Sequence, residues 1–220
     1  MEGSKVDKRL PIIMAAAILG FFAIAGTSLV AFTHTATKER IAANERETLL
    51  HTLHALVPPE SVDNDMVVDT LEVADPEQLG GAMTTVYRGR LQGEPVATVL
   101  TTMVPNGYSG PIKLLVAVRY DGTLGGVRVI SHKETPGLGD KMEEARSDWI
   151  YIFNGKSLSN PSIEKWKVKR DGGVFDQFTG ATVTPRSIVA AVKKTLIYVK
   201  TNKDALYDKQ VAVDSVTAEG

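Results

Sequence analysis

The residues best suited to chemistry form one continuous stretch, Asp176-Gln177-Phe178-Thr179-Gly180-Ala181-Thr182-Val183-Thr184-Pro185. A helix-periodic apolar run follows at once through Ile188, Val189, Val192, Leu196 and Val199. Thr184 followed by Pro185 reads as an N-cap residue and a proline at the first helical position. Just before them, Gly180 and its small or hydroxylated neighbours let backbone approach a ligand closely. Unpaired N–H groups and the positive pole of a helix make such a start a seat for a phosphate. On physics alone the same pattern also suits a capped surface helix after a turn.

A second stretch, Ser131-His132-Lys133-Glu134-Thr135-Pro136-Gly137-Leu138-Gly139-Asp140, is too rich in Pro and Gly for a regular element. Such a loop could press Leu138 against a flat ring, with Gly137 and Gly139 letting backbone N–H groups reach ring heteroatoms. An ordinary strand-to-helix loop satisfies the same pattern. Asp140 is placed to cap a helix running through Met142, Ala145, Trp149, Ile150 and Phe153. Gly137-x-Gly139 lacks the third glycine and the βαβ frame of a dinucleotide fingerprint, and no phosphate loop ending in Gly-Lys-Ser/Thr exists. His51 and His54 share a helix face without a third ligand, so solvated histidines are expected there.

Composition narrows the chemistry further. The chain has no cysteine, which excludes disulfides, thiolate chemistry, iron–sulfur clusters held by this chain and c-type haem attachment. Electrons carried here need an organic cofactor. A net charge of −1 gives no basis for nucleic-acid binding.

Asp176-x-x-Thr179-Gly180-Ala181-Thr182 resembles the Asp-x-x-(Ser/Thr)-Gly-Ala-Thr motif of covalent flavoprotein domains. Asn106-Gly107-Tyr108-Ser109-Gly110, Glu134-Thr135-Pro136-Gly137-Leu138-Gly139-Asp140-Lys141, Ser147-Asp148-Trp149-Ile150 and Asp171-Gly172-Gly173 extend the likeness to the RnfG components of the Rnf (Rsx) electron transport complexes. The resemblance runs from about residue 87 to 199, with a similar N-terminal anchor; 61–81 and the tail after Lys200 are only loosely similar. It implies covalent FMN, joined through its phosphate to the Thr182 hydroxyl. Asp176, Thr179, Gly180, Ala181 and Thr184 then belong to the attachment segment, and Glu134, Thr135, Gly137, Leu138 and Gly139 to a loop lining the isoalloxazine.

The motif holds no histidine base to activate a threonine hydroxyl, so self-attachment is not expected. The resemblance implies a separate flavin transferase that takes FMN from FAD outside the cytoplasm, with Asp176 as part of the signal it reads or as a turn former. It also implies partner subunits in a complex linking reduced ferredoxin and NAD to Na⁺ or H⁺ movement. The chain itself is expected to be a relay subunit; an assembly subunit and a free-standing membrane-anchored flavin reductase are the alternatives.

The elements that must position these residues can be read in order. Residues 10–32 carry no charged side chain, roughly the 20 apolar residues that a membrane-crossing helix needs. Lys5, Lys8 and Arg9 precede them, so residues 1–9 are expected in the cytoplasm and the rest beyond the bacterial inner membrane, in the periplasm. Ala23-Ile24-Ala25 offers a signal-peptide alternative, but the apolar run outlasts a signal core, and a retained anchor is expected. Residues 33–57 read as an amphipathic helical stalk ended by Pro58-Pro59.

Strands are expected at 66–73, 83–88, 96–103, 112–120 and 126–130, with turns at Asn106-Gly107 and Asp121-Gly122. Their short spacing favours antiparallel pairing. The fold class expected is α+β: a mainly antiparallel twisted sheet with flanking helices, behind one N-terminal transmembrane helix. The flavin domain spans 58–200, and 201–220 is expected to be a poorly ordered tail. Trp166-Lys167-Val168-Lys169-Arg170 reads as a short strand meeting a turn at Asp171-Gly172-Gly173. Lys113, Lys169 and Arg170 are either phosphodiester neighbours or solvated strand residues. Trp149 and Trp166 are expected in the core or an interface.

Overall fold

The computed structural model describes residues 9–207. The chain divides into two compact units, residues 1–48 and 49–220. Helix α1, Arg9–Leu56, is 48 residues long. Its stretch Met14–Lys38, with a mean hydropathy of 2.1, is long and apolar enough to cross a membrane. Phe21, Phe22, Ile24, Leu29 and Phe32 all expose their side chains, as lipid-facing residues do. Thr27 and Thr35 donate their hydroxyls to carbonyls one turn back, at 2.7 and 2.9 Å, which satisfies them without water.

The second unit is built on one sheet of five strands in the order β1-β2-β3-β4-β5. These are β1 (Thr70–Val73), β2 (Thr84–Leu91), β3 (Glu94–Val104), β4 (Ile112–Arg119) and β5 (Leu124–Ser131). Every neighbouring pair is antiparallel. Short connections permit nothing else, because a parallel pair needs a long crossover. At the β4–β5 turn, the Asp121 carboxylate accepts from the Thr123 amide at 2.8 Å and hydroxyl at 2.6 Å. Those bonds hold its pKa below the ordinary value.

Side chains on a strand alternate between faces, and both faces of this sheet are covered. Leu100, Leu114, Val116 and Val127 join the core with Ile188, Val192, Leu196 and Val199 of helix α3 (Val183–Thr201). The opposite face, with Ala97, Val99, Leu115 and Ala117, packs on Leu53, Leu56 and Val57 around the end of α1. Trp149, Phe153, Trp166, Phe175 and Phe178 form an aromatic wall in the first core, with ring centroids 4.8–6.3 Å apart. Trp166 donates its indole N–H to the Ser157 carbonyl at 2.9 Å. Helix α2, Pro76–Leu79, is capped by Asp75 and leaned on by α3, where Lys194 donates to the Glu77 carbonyl at 3.0 Å.

Several local expectations give way to tertiary contacts. No single helix follows Asp140. Two 3₁₀ turns, Gly139–Met142 and Asp148–Phe153, are separated by a break at Glu143, whose ψ of 137° is extended. Ser147 caps the second turn, accepting from the Trp149 amide at 3.3 Å, while Asp140 is buried without a cap role. Residues 166–170 are not a strand of the sheet either. Val168 makes one isolated bridge to Phe175, and a 3₁₀ turn covers Lys169–Asp171. Arg186 of α3 grips that turn with two bonds to Asp171, at 2.6 and 2.8 Å. The same guanidinium holds the Asp171 carboxyl below its ordinary pKa.

The chain also stays structured past Lys200, where the sequence pattern places the start of a tail. Helix α4 (Lys203–Tyr207) buries Leu206 and Tyr207. Arg90 donates to the Tyr207 carbonyl at 3.3 and 3.4 Å. Burial pushes the Tyr207 phenol up to about 12. Residues 208–220, the rest of the expected tail, lie outside the described residues, as do the positions of Lys5 and Lys8.

Candidate functional site

A concavity of about 270 Å³ opens beside the start of α3. One wall comes from the loop after β5, with Glu134, Thr135, Leu138 and Gly139. The other comes from Gly180, Ala181, Thr182, Val183 and Thr184, and Tyr108 of the β3–β4 loop completes it. Two stretches more than forty residues apart in sequence thus share one cavity.

The 176–184 segment is held on one side by aromatic side chains and borders the cavity on the other. Trp149 donates its indole N–H to the Asp176 carbonyl at 2.8 Å. Phe178 is buried against the Trp149 ring, with centroids 4.8 Å apart. Between Phe178 and Ala181 the chain makes a tight turn, in which the Ala181 amide donates to the Phe178 carbonyl at 3.3 Å. Gly180 sits third in this turn at φ 88°, the position where type II turns require positive φ and hence favour glycine. A Cβ there would also come within 3.1 Å of the Leu138 side chain. The two walls therefore nearly touch at that end.

Helix α3 starts two residues earlier than its sequence signal suggests, and with different chemistry. Thr182 is the N-cap, at φ −95° and ψ −32°, and its hydroxyl makes no capping bond. Thr184 and Pro185 lie inside the first turn. Proline is tolerated there because a first-turn N–H has no intrahelical partner to lose. Thr184 is 0% exposed and donates its hydroxyl to Glu134 Oε2 at 2.6 Å. The residue with the sequence form of an N-cap is instead a buried tie between the two walls.

Glu134 receives that tie and a second one. Its Oε1 accepts from the Ser109 amide at 2.9 Å, so the β3–β4 loop is fixed to the same carboxylate. Its own amide donates to His132 Nδ1 at 3.0 Å. With Nδ1 accepting, the ring proton lies on Nε2 and points at Glu143 Oε1, 2.5 Å away. Gly139 is pressed onto Glu134 so closely that a Cβ would fall 2.5 Å from Oε2.

The expected site residues sort as follows. Glu134, Thr135, Leu138, Gly139, Gly180, Ala181, Thr182 and Thr184 line the cavity. Gly137, Thr179 and Asp176 do not. Gly137 forms the bend that aims Leu138, at φ 81°. Thr179 is exposed on the outer turn, and the exposed Asp176 pairs with Lys169 at 2.6 Å. That pair engages Lys169 on the outside of the loop. Tyr108 and Val183 also line the cavity, although the sequence reading does not single them out as site residues. An aromatic residue inside Asn106-Gly107-Tyr108-Ser109-Gly110 is the available signal for Tyr108, which is 73% exposed. His51 and His54 are exposed, and among the described residues no group of three His, Cys, Asp or Glu gathers to hold a metal.

These residues fit a flavin nucleotide. Leu138 and Val183 offer exposed apolar surface to a flat ring, at 42% and 40% exposure. The first-turn amides of Val183 and Thr184 have no intrahelical acceptors, which suits a phosphate at the helix start. Thr182 is half-buried in the cavity lining, and its hydroxyl makes no capping bond.

Residues 107–197 match the FMN-binding domain family, and residues 4–56 match the RnfG N-terminal region. A relative from Pseudoalteromonas atlantica, named as the G component of an ion-translocating oxidoreductase complex, is 48% identical over 191 residues, covering 86% of this chain and 89% of its own. Relatives of the same name from Pseudomonas aeruginosa and Vibrio cholerae are 48% and 43% identical, each over 87% of this chain and 90% and 92% of their own. With identity of this order along nearly its whole length, the chain belongs to the RnfG family of ion-translocating oxidoreductase complex subunits.

Proposed function

We propose that this chain carries FMN as a phosphoester on Thr182 and relays electrons within a membrane-bound, ion-translocating ferredoxin/NAD oxidoreductase complex. The family and its FMN-binding domain support an electron-transport subunit anchored in a membrane. The observation that carries the finer reading is the cavity that unites the 134–139 loop with the 180–184 segment, with the Thr182 hydroxyl at its edge.

Bound there, FMN supplies one- and two-electron transfer, which lets a one-electron partner be joined to a two-electron one. The protein residues do the rest. Thr182 tethers the cofactor, so it is not lost outside the cytoplasm. The start of α3 faces the phosphodiester with a positive pole. Leu138 and Val183 cover apolar ring surface and keep water from it. Ties from Glu134 to Ser109 and Thr184 hold the three segments in register. Asp176 and Thr179, exposed on the outer turn, are available for recognition by a flavin transferase that takes FMN from FAD and releases AMP. The folded domain lies on the periplasmic side of the inner membrane, with residues 1–9 in the cytoplasm.

Gel electrophoresis of the denatured protein should show a fluorescent flavin band. Mass spectrometry should find the Thr182 peptide heavier by FMN less water. An unmodified Thr182 peptide from cells containing the transferase would overturn the covalent reading and leave an assembly role in its place.

A further inference from the structure

Glu134 stands apart from every other acid near the cavity. It is 5% exposed, and both its oxygens accept hydrogen bonds, from Ser109 and Thr184. Two accepting oxygens are the pattern of an ionised carboxylate. The neighbouring acids have cations: Asp140 and Glu143 face Arg146 at 3.6 and 3.9 Å, and Asp176 pairs with Lys169. Among the described residues no cation is paired with Glu134. Its charge is met only by dipoles, namely one amide, one hydroxyl and the start of α3. The carboxylate has no room to swing away, since a Cβ on Gly139 or Gly107 would lie 2.5 or 2.8 Å from its oxygens.

We propose that Glu134 holds the reduction potential of the bound flavin low, by fixing an unpaired negative charge in the wall of its cavity. The proposal rests on the flavin reading above. Each electron that reaches the ring without a proton adds one negative charge there, and a proton taken up with it cancels that charge. Glu134 neither gives nor takes electrons. Its field opposes the added charge, and a partly buried site with little water screens that field weakly. The same carboxylate is also a positioning residue, because its two bonds set the separation of the walls. Replacing it by the isosteric amide separates the two roles. A glutamine still accepts from Ser109 through its carbonyl oxygen and meets the Thr184 hydroxyl with its other end, but carries no charge.

The test uses the full-length, FMN-loaded protein in detergent, titrated with dithionite in the presence of redox mediators while flavin absorbance is followed. Glu134→Gln should retain flavin and titrate at a higher potential than the wild type. Thr184→Val keeps the charge but removes the hydroxyl dipole that offsets it, and should titrate at a lower potential. Amide exchange at Ser109 in the flavin-free proteins monitors wall geometry, and should be near wild type in Glu134→Gln and faster in Glu134→Ala. A wild-type potential in Glu134→Gln overturns the proposal. If that variant loads no flavin, Thr184→Val decides: a lower potential supports the proposal, and an unchanged or higher one overturns it. A wild-type protein without flavin overturns the flavin reading itself, and this inference with it.

Discussion

Thr182 and Thr184 are two residues apart, yet substitution should separate binding from stability. Thr184→Val keeps the size and β-branching of the side chain and removes one hydroxyl from a site that is 0% exposed. The lost bond, 2.6 Å to Glu134 Oε2, is a hydrogen bond to a charged group, for which about 1.5–3 kcal/mol is usual. Oε2 then loses its donor inside the core, which places the effect near the upper half, about 2–3 kcal/mol. Thr182→Ala removes a hydroxyl that caps nothing, so stability should move by about 0.5 kcal/mol or less. Urea unfolding of the full-length protein in detergent, followed by tryptophan fluorescence, resolves the difference. With a slope of about 2 kcal/mol per molar, the Thr184→Val midpoint should fall by roughly 1 M. Gel fluorescence should give the reverse order, with flavin lost in Thr182→Ala and kept in Thr184→Val. Equal midpoints for the two variants would refute the tie between Thr184 and Glu134.

Gly139→Ala drives a Cβ to within 2.5 Å of Glu134 Oε2 and 2.8 Å of Glu134 Cβ. That overpacking should cost about 1–3 kcal/mol and reduce flavin loading, read by thermal unfolding and gel fluorescence on one sample. Tyr207 has its pKa raised by burial from 10.0 to about 12, so the neutral phenol stabilises the fold below pH 10, and this contribution is lost as pH rises through 12. The span corresponds to about 3 kcal/mol at most. Unfolding midpoints of wild type and Tyr207→Phe between pH 9 and 12 should show a weaker alkaline loss in the variant. Protease added to sealed spheroplasts should remove the soluble domain, as the Lys5, Lys8 and Arg9 cluster requires. Cleavage only after lysis would reverse the orientation.

Sequence alone was sufficient wherever the physics is local. Short connections between β-rich runs leave antiparallel pairing as the one accessible arrangement, and the five strands sit close to their expected places. An uncharged apolar run of membrane length is equally readable, because hydropathy is a property of composition. Asp176 to Thr182 stands out through its resemblance to the flavoprotein motif, whereas its residues alone suit a capped surface helix as well; in the structure Gly180, Ala181 and Thr182 line a cavity with the 134–139 loop. Local rules failed where a partner from elsewhere changed the balance. Thr184-Pro185 has the form of a cap, but a buried carboxylate fifty residues upstream takes the Thr184 hydroxyl, and the helix starts earlier. Residues 139–153 have helical periodicity, yet Gly139 pressed on Glu134 and the extended Glu143 divide them into two short turns. Past Lys200 the apolar pattern fades, although Arg90 and a pocket for Leu206 and Tyr207 hold the chain down. A side-chain hydrogen bond between distant segments leaves no periodic trace in sequence, so only the tertiary structure could show Glu134 tying its own wall to Thr184 and Ser109.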